Sequence, residues 1–334
     1  MSLPILLTGY RTSGPLHIGH YFGMMQNTEN FCKQNEGYIM AADVQTLTDN
    51  FDNPQKVRDN VFEATADMLS LDLDLSQTTV FIQSQIPQIA ELTVYFANLV
   101  SLNRVLRNPT VKTEIEQKKA IFGENGEGVT FGFVGYPVSQ AADILFLRAN
   151  IVPTGVDQAP MLEITRDIAE KFNRIYGTDL FSLPELKLTK TSKILGLDGN
   201  AKMSKSLNNA IYLKDSDEET TAKIKTAKTD SGSQITFEPE NRPEISNLVL
   251  LYSLVNNITI EQAENDLKNV QYGTFKQKLA IDTNLYFKEF REKRQRIIND
   301  PKYIKEVLEN GRQKVLVRAI ETMDLVRKAM KIDY

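Results

Sequence analysis

Apolar positions along the 334 residues change their period several times, and those changes mark out the elements. The unbroken run Pro4-Ile5-Leu6-Leu7 predicts a buried strand. After a small-residue turn, the spacing from about Ile18 to Cys32 predicts an amphipathic helix. Gly37-Tyr38-Ile39-Met40-Ala41-Ala42 reads as a second buried strand ending at Asp43. Asn53-Pro54 supplies an N-cap and a first-turn proline to a helix with Val57, Val61, Ala64 and Met68 on one face. Thr79-Val80-Phe81-Ile82 is a third strand, and a helix is expected from about Ile86. The alternation then breaks. Residues 102–135 carry Arg104, Arg107, Lys112, Lys118 and Lys119 with Gly123, Gly126, Gly128 and Gly132, and read as an insertion between two halves of a sheet.

Beyond the insertion the pattern predicts a helix near Tyr136–Leu147, a strand at about Asn150–Thr154 and a loop Gly155-Val156-Asp157-Gln158. The helix after it places Met161, Ile164, Ile168 and Phe172 on one face. Residues 183–206 are rich in Lys, Ser, Thr and Gly and show no helical stripe. From about Glu218 to Tyr334 the pattern is helical, with Leu316, Ile320 and Met323 as one stripe. Strands alternating with helices imply an α/β fold, a doubly wound parallel sheet of Rossmann-like type, followed by an all-helical C-terminal domain. The division is expected near residue 207, giving domains 1–206 and 207–334.

Composition narrows the class. Apolar content of 41% and charged content of 25% are those of a globular protein, and the length suits about two domains. The single cysteine, Cys32, leaves no disulfide framework and no cysteine-held zinc or iron–sulfur site. No 18-residue apolar stretch and no basic leader ahead of an apolar run are present, so a cytoplasmic protein without a membrane segment is expected. The net charge of −4 argues against a non-specific nucleic-acid coat protein. Charge is uneven, however: residues 285–334 hold 13 Lys/Arg against 8 Asp/Glu, which fits either a basic contact surface or a solvated helical face.

Candidate chemistry concentrates in two stretches. Thr8-Gly9-Tyr10-Arg11-Thr12-Ser13-Gly14-Pro15-Leu16-His17-Ile18-Gly19-His20 joins the first strand to the first helix. A helix start exposes backbone N–H groups that suit phosphate, and Gly9, Gly14 and Gly19 allow close approach. The only two histidines, His17 and His20, are three apart, a spacing for one helix face where both can donate to a polyphosphate. An ordinary turn with two surface histidines is the plainer reading, and a metal pair would need carboxylates for its remaining ligands; no protein-held metal is expected. The second stretch is Gly196-Leu197-Asp198-Gly199-Asn200-Ala201-Lys202-Met203-Ser204-Lys205-Ser206. Its two lysines, three apart on a small-residue loop, can close over a triphosphate as pyrophosphate leaves; alone, it could be an exposed loop.

His-Ile-Gly-His at 17–20 and Lys-Met-Ser-Lys-Ser at 202–206, in that order, resemble both motifs of the class I aminoacyl-tRNA synthetases. The likeness extends along nearly the whole chain to the bacterial tryptophanyl-tRNA synthetases. It is carried by Tyr136-Pro137, Ala141-Ala142-Asp143-Ile144-Leu145, Ile151-Val152-Pro153, Gly155-x-Asp157-Gln158, Glu163-x-Thr165-Arg166-Asp167, Thr229-Asp230-Ser231 and Ile245-Ser246-Asn247-Leu248. The resemblance implies activation of L-tryptophan by ATP and transfer to tRNA(Trp), with Mg²⁺ on the phosphates and no covalent enzyme intermediate.

The same resemblance implies the site. His17, Gly19 and His20 would meet ATP, the turn Arg11-Thr12-Ser13 would help hold it, and Gly155, Val156 and Asp157 would face the ribose. Ile194 would lie near the adenine. Lys202, Met203, Ser204, Lys205 and Ser206 would close on the phosphates, with Lys112 assisting. Asp143 would accept the indole N–H, Gln158 would hold the substrate amine with Tyr136 beside it, and Gly9 would let the indole lie on backbone. Gln140, three residues before Asp143, would face the same pocket and could hydrogen-bond the carboxylate. Gln45, Gln140 and Arg11 depart from the common family pattern of His, Met and Gln. In the family the helical half binds the anticodon and the protein is a homodimer. Tyrosyl-tRNA synthetase is the near alternative. A small nucleotidyltransferase would not need the helical half, and a non-catalytic RNA-binding paralogue would be expected to lose the motif His and Lys residues.

Overall fold

The computed structural model describes residues 3–123, 126–155, 158–188, 194–199, 203, 207, 209–232 and 234–334. Its strands are β1 (Ile5–Arg11), β2 (Glu36–Ala42), β3 (Thr78–Ile82), β4 (Ile151–Thr154) and β5 (Glu185–Leu188). They form a 5-stranded sheet in the order β3-β2-β1-β4-β5, and every neighbouring pair is parallel. After β1 come α1 (Ile18–His20), a π-helical turn (Tyr21–Met25) and α2 (Gln26–Cys32). Between β2 and β3 lie α3 (Asp43–Leu47) and α4 (Pro54–Leu69). Between β3 and β4 lie α5 (Pro87–Ala97), α6 (Leu102–Leu106), α7 (Pro109–Gln117), α8 (Lys119–Phe122) and α9 (Phe131–Leu145), and α10 (Ala159–Tyr176) precedes β5. The rest is helical: α11 (Asp217–Thr226), α12 (Pro243–Asn256), α13 (Ile260–Asp266), α14 (Tyr272–Ile298) and α15 (Pro301–Met330). The doubly wound α/β fold with a helical C-terminal region is the one expected.

Local signals held where they were strong. Asn53 accepts the Lys56 N–H at 3.1 Å with Pro54 in the first turn of α4, and Val57, Val61, Ala64 and Met68 are buried. Met161, Ile164, Ile168 and Phe172 form the buried face of α10. Successive residues of β1 point to opposite faces, so Leu6 joins one hydrophobic core and Leu7 the other.

Four expectations are corrected. β1 runs on through Arg11, four residues past its apolar run, because β2 pairs with it as far as Arg11↔Ala42. The insertion is mostly helical, built of α6, α7 and α8; Gly123, Gly126 and Gly128 do lie between α8 and α9 outside any helix, but Gly132 and the last residues already belong to α9, which starts at Phe131 under a cap from the Thr130 side chain to the Phe133 N–H at 3.2 Å. The stretch after residue 183 contains a strand, β5, whose only apolar residues are Leu186 and Leu188; the exposed edge pair Glu185–Lys187 (2.8 Å) hides the signal. On α15, Ile320 is 49% exposed, and the buried stripe is Val315, Ala319, Met323 and Val326.

The helical region packs directly on the sheet. Gly311 of α15 lies so close to β3 that a Cβ there would sit 1.9 Å from the Val80 carbonyl oxygen. No helix among the described residues is long and apolar enough to cross a membrane.

Candidate active site

The chain leaves β1 for β2 and β3 on one side and returns to β4 on the other, so the crevice lies beyond the C-terminal ends of β1 and β4. In open α/β sheets ligands bind at this switch point. A cavity of about 350 Å³ opens there. Of the expected substrate residues, Gly9, Tyr136, Gln140, Asp143 and Gln158 all line it, as do Arg11 and Gly155 from the expected nucleotide set.

Asp143, on α9, is 2% exposed. Its two oxygens are held by amides: Gln83 Nε2 donates to Oδ1 at 2.7 Å and Gln45 Nε2 to Oδ2 at 3.3 Å. Gln83 is itself oriented, because its Oε1 accepts the Gln45 backbone N–H at 3.0 Å. Burial pushes the Asp143 carboxyl up to about 7; the two amides pull it down, and nearby Asp43 adds to the rise. The amide partners are therefore Gln83 and Gln45, not Gln140, which lines the cavity beside them. Gln83 carries no local signal in the sequence, since its role comes from β3 ending beside α9.

At the mouth, Arg11 donates to the Gln45 carbonyl at 3.3 Å and pairs with Asp49, which also receives Lys118 at 2.7 Å. Burial works against the charge, yet Arg11 and Lys118 hold the Asp49 carboxyl below its ordinary value. Tyr136 is pushed up by burial, with Glu114 adding to the effect, and stays protonated. Gln158 stands at the N-cap of α10, its backbone N–H donating to the Gly155 carbonyl at 3.1 Å.

The first motif differs from a simple helix face. His17 is the N-cap of α1, in extended conformation (φ −127°, ψ 169°), and its backbone N–H donates to His20 Nδ1 at 3.2 Å. The two rings still meet, with centroids 3.7 Å apart. Thr12 is fully buried and donates its N–H to Thr46 Oγ1 at 2.9 Å, so its side chain shapes the turn from inside; Ser13 is half-buried. The Ile18 N–H donates to the Ile211 carbonyl and the Leu213 N–H to the Leu16 carbonyl, both at 3.0 Å, which stitches residues 211–213 to the motif.

Met203, from the second motif, is buried beside it: a Cβ on Gly19 would lie 3.0 Å from the His17 ring and 3.8 Å from Met203 Sδ. Ile194 and Met203 share one core cluster with Leu16 and Ile18. Asn247 of α12 clamps the chain leading into that loop, accepting the Leu195 N–H at 2.8 Å and donating to the Leu195 and Gly196 carbonyls at 3.1 and 3.2 Å. Val156, Asp157, Lys202, Ser204, Lys205 and Ser206 lie outside the described residues. Lys112 is on the exposed side of α7 and does not line the cavity. Among the described residues no group of three or more His, Cys, Asp or Glu is placed to hold a metal ion.

The family model for tRNA synthetases class I (W and Y) matches residues 3–288. The chain is similar over its full length to the tryptophan--tRNA ligases of Streptococcus pyogenes serotype M3 (40% identical, 100% of both chains) and Lactococcus lactis (40%, 100% of this chain and 99% of the other). A crystal structure of the Campylobacter jejuni tryptophanyl-tRNA synthetase complexed with ADP and tryptophan superposes with a TM-score of 0.83 at 30% identity, covering 98% of this chain and 99% of that one. A nucleotide-binding sheet with this crevice and these matches defines a class I aminoacyl-tRNA synthetase, and the chain belongs to that family. Within it, the chain belongs with the bacterial tryptophanyl-tRNA synthetases, which are aminoacyl-tRNA ligases.

Proposed function

We propose that the enzyme carries out the tryptophan--tRNA ligase reaction with the residues gathered around this crevice. The observation that carries the reading is Asp143, a buried carboxylate held between Gln83 and Gln45 in a cavity sized for one amino acid. Such an acceptor pairs with an indole N–H and leaves phenylalanine with an unmet partner, a mismatch that costs a great deal in a dry pocket. The relatives at 40% identity are tryptophan enzymes, which leaves the tyrosine alternative with less support.

Tryptophan lies with its indole against Gly9 and Gln140, its N–H toward Asp143 and its amine toward Gln158 and Tyr136. One oxygen of its carboxylate attacks the α-phosphorus of ATP; the bond to the bridging oxygen breaks, and pyrophosphate leaves. His17, Gly19 and His20 hold the nucleotide with Arg11, Thr12, Ser13, Gly155, Val156, Asp157 and Ile194. Lys202 and Lys205 stabilise the leaving group with Met203, Ser204 and Ser206 in the same loop, Lys112 assists, and Mg²⁺ rides on the phosphates of the substrate. Catalysis is positioning plus charge stabilisation. A ribose hydroxyl of the tRNA terminus then attacks the adenylate carbonyl and AMP leaves. We assign residues 1–206 to catalysis and 207–334 to anticodon binding, in a cytoplasmic homodimer acting on tRNA(Trp), as the family resemblance implies.

The test is ATP–pyrophosphate exchange with each of the twenty amino acids in turn. Exchange with tryptophan alone, lost in Asp143→Ala and in His20→Ala, is the expected result. Exchange with tyrosine would overturn the reading of Asp143 and leave the phosphate chemistry standing.

A further inference from the structure

The rim of the cavity carries a row of alternating charge. Arg11, at the end of β1, pairs with Asp49; Asp49 receives Lys118 at 2.7 Å; and Lys118 stands 3.7 Å from Glu114 of α7. Asp49 and Lys118, in the middle, have opposite charges on both sides and do not line the cavity, whereas Arg11 and Glu114, at the two ends, do line it. Both contacts of Arg11 run through Nη2, to Asp49 and to the Gln45 carbonyl, which leaves Nε and Nη1 without a partner among the described residues. Among the described residues Glu114 has one ion pair, the long one to Lys118. Lys118 also lies over the Phe133 ring at 4.9 Å, and Phe133 meets Tyr136 edge-on at 5.4 Å, so Glu114 belongs to the Tyr136 side of the rim.

Among the described residues, Arg11, Glu114 and Asp143 are the only charged side chains that line the cavity. An α-amino acid enters as a zwitterion, and a charge taken out of water is costly unless it meets a partner. Gln158 and Tyr136 are neutral, so an ammonium held by them alone lacks a countercharge. One cation and one carboxylate at the mouth, with a buried acceptor behind them, match a carboxylate, an ammonium and an indole N–H one for one. We propose that Glu114 receives the ammonium of the substrate and Arg11 its carboxylate, so that the rim recognises a free amino acid by its two charges while Asp143 reads the ring. This rests on the reading of the cavity as the tryptophan site. Arg11 keeps its contact with ATP, because the carboxylate it holds is the group that attacks the α-phosphorus.

Two analogues separate the charges. Tryptamine keeps the ammonium and lacks the carboxylate; indole-3-propionate keeps the carboxylate and lacks the ammonium. Both are measured as inhibitors of tryptophan in pyrophosphate exchange, beside the KM for tryptophan, in the parent and two variants. Glu114→Gln should weaken tryptophan and tryptamine about tenfold, since a charged partner becomes neutral, and leave indole-3-propionate unchanged or tighter. Arg11→Gln should weaken tryptophan and indole-3-propionate about tenfold and leave tryptamine within twofold. The two side chains are 26% and 39% exposed, so the fold tolerates either change. If Glu114→Gln does not fold, Glu114→Ala suits a helix and carries the same expectation. A tryptophan KM within twofold of the parent in the Glu114 variant overturns the inference, as does an equal loss of all three ligands, which marks general loosening of the rim. An Arg11→Gln variant that moves only the KM for ATP overturns the carboxylate assignment. Absence of tryptophan-dependent exchange in the parent would instead overturn the tryptophan reading and the inference with it.

Discussion

Tryptophan binding should follow the ionisation of Asp143. Burial pushes this carboxyl up to about 7, and the form that accepts an indole N–H best is the ionised one. With an apparent value near 7, roughly nine carboxyls in ten are ionised at pH 8 and one in ten at pH 6. When only a fraction of the protein is competent, the apparent Kd is the intrinsic Kd divided by that fraction. The Kd for tryptophan should therefore be flat above about pH 7.5 and rise about tenfold between pH 8 and pH 6, a cost of about 1.4 kcal/mol. The rise stops at lower pH, where the carboxyl of the complex itself takes up a proton; the indole N–H stabilises the charge and moves that point down. The chain has no tryptophan, so emission excited at the indole band comes from the substrate alone and a titration reads occupancy directly. Asp143→Asn keeps the shape without the titration and should bind weakly with no such slope. Any other group that titrates in this window does so in both proteins, so the difference isolates Asp143. A parent Kd constant within twofold from pH 8 to pH 6, or the same slope in the Asn variant, would refute the reasoning.

The same substitution should stabilise the fold. A carboxyl raised from 3.8 to about 7 on folding opposes folding when ionised: the penalty is absent below about pH 4, grows as pH rises toward 7 and is complete above it. Asp143→Asn should therefore gain up to about 4 kcal/mol at pH 8 and less than half of that at pH 5, read as urea midpoints at the two pH values; a gain independent of pH would contradict the burial argument. Gly311→Ala should cost about 3 kcal/mol or more, because its Cβ would meet the Val80 carbonyl at 1.9 Å and the obstacle is backbone. An unchanged urea midpoint would mean that α15 does not sit against β3 in this way. Asn247→Ala removes three hydrogen bonds at Leu195 and Gly196, where the chain enters the lysine loop, and should raise the KM for ATP about tenfold while leaving the tryptophan Kd unchanged. Equal changes in both would place Asn247 in the general fold rather than at the loop.

Local patterns carried much of the fold. The Asn53–Pro54 start of α4 and the buried face of α10 were legible because cap chemistry and the 3.6-residue period act within a few residues. β5 was not legible: four residues with two charges gain their strand conformation from pairing with β4, a partner some thirty residues away. The apolar period also misled at Ile320, since a helix rich in apolar residues does not say which of them meets the sheet; the close fit of Gly311 over β3 decides it.

At the site the division is similar. His17, His20, Asp143 and Gln158 could be singled out because their residue types occur at telling spacings in short motifs. That Asp143 is held by Gln83 and Gln45, 60 and 98 residues away, could not. By itself the sequence determined the alternation of strands and helices, the two phosphate-type motifs and the family they resemble, all of which depend on neighbours in the chain. Only the tertiary structure decided that His17 caps its helix in extended form, that two glutamine amides hold the buried carboxylate, and that α14 packs Phe287 against Tyr21, next to the first motif. The physical reason is common to all three. Burial and long-range hydrogen bonds are set by which surfaces meet when the sheet closes, and side chains far apart in sequence have no local energy that announces their meeting.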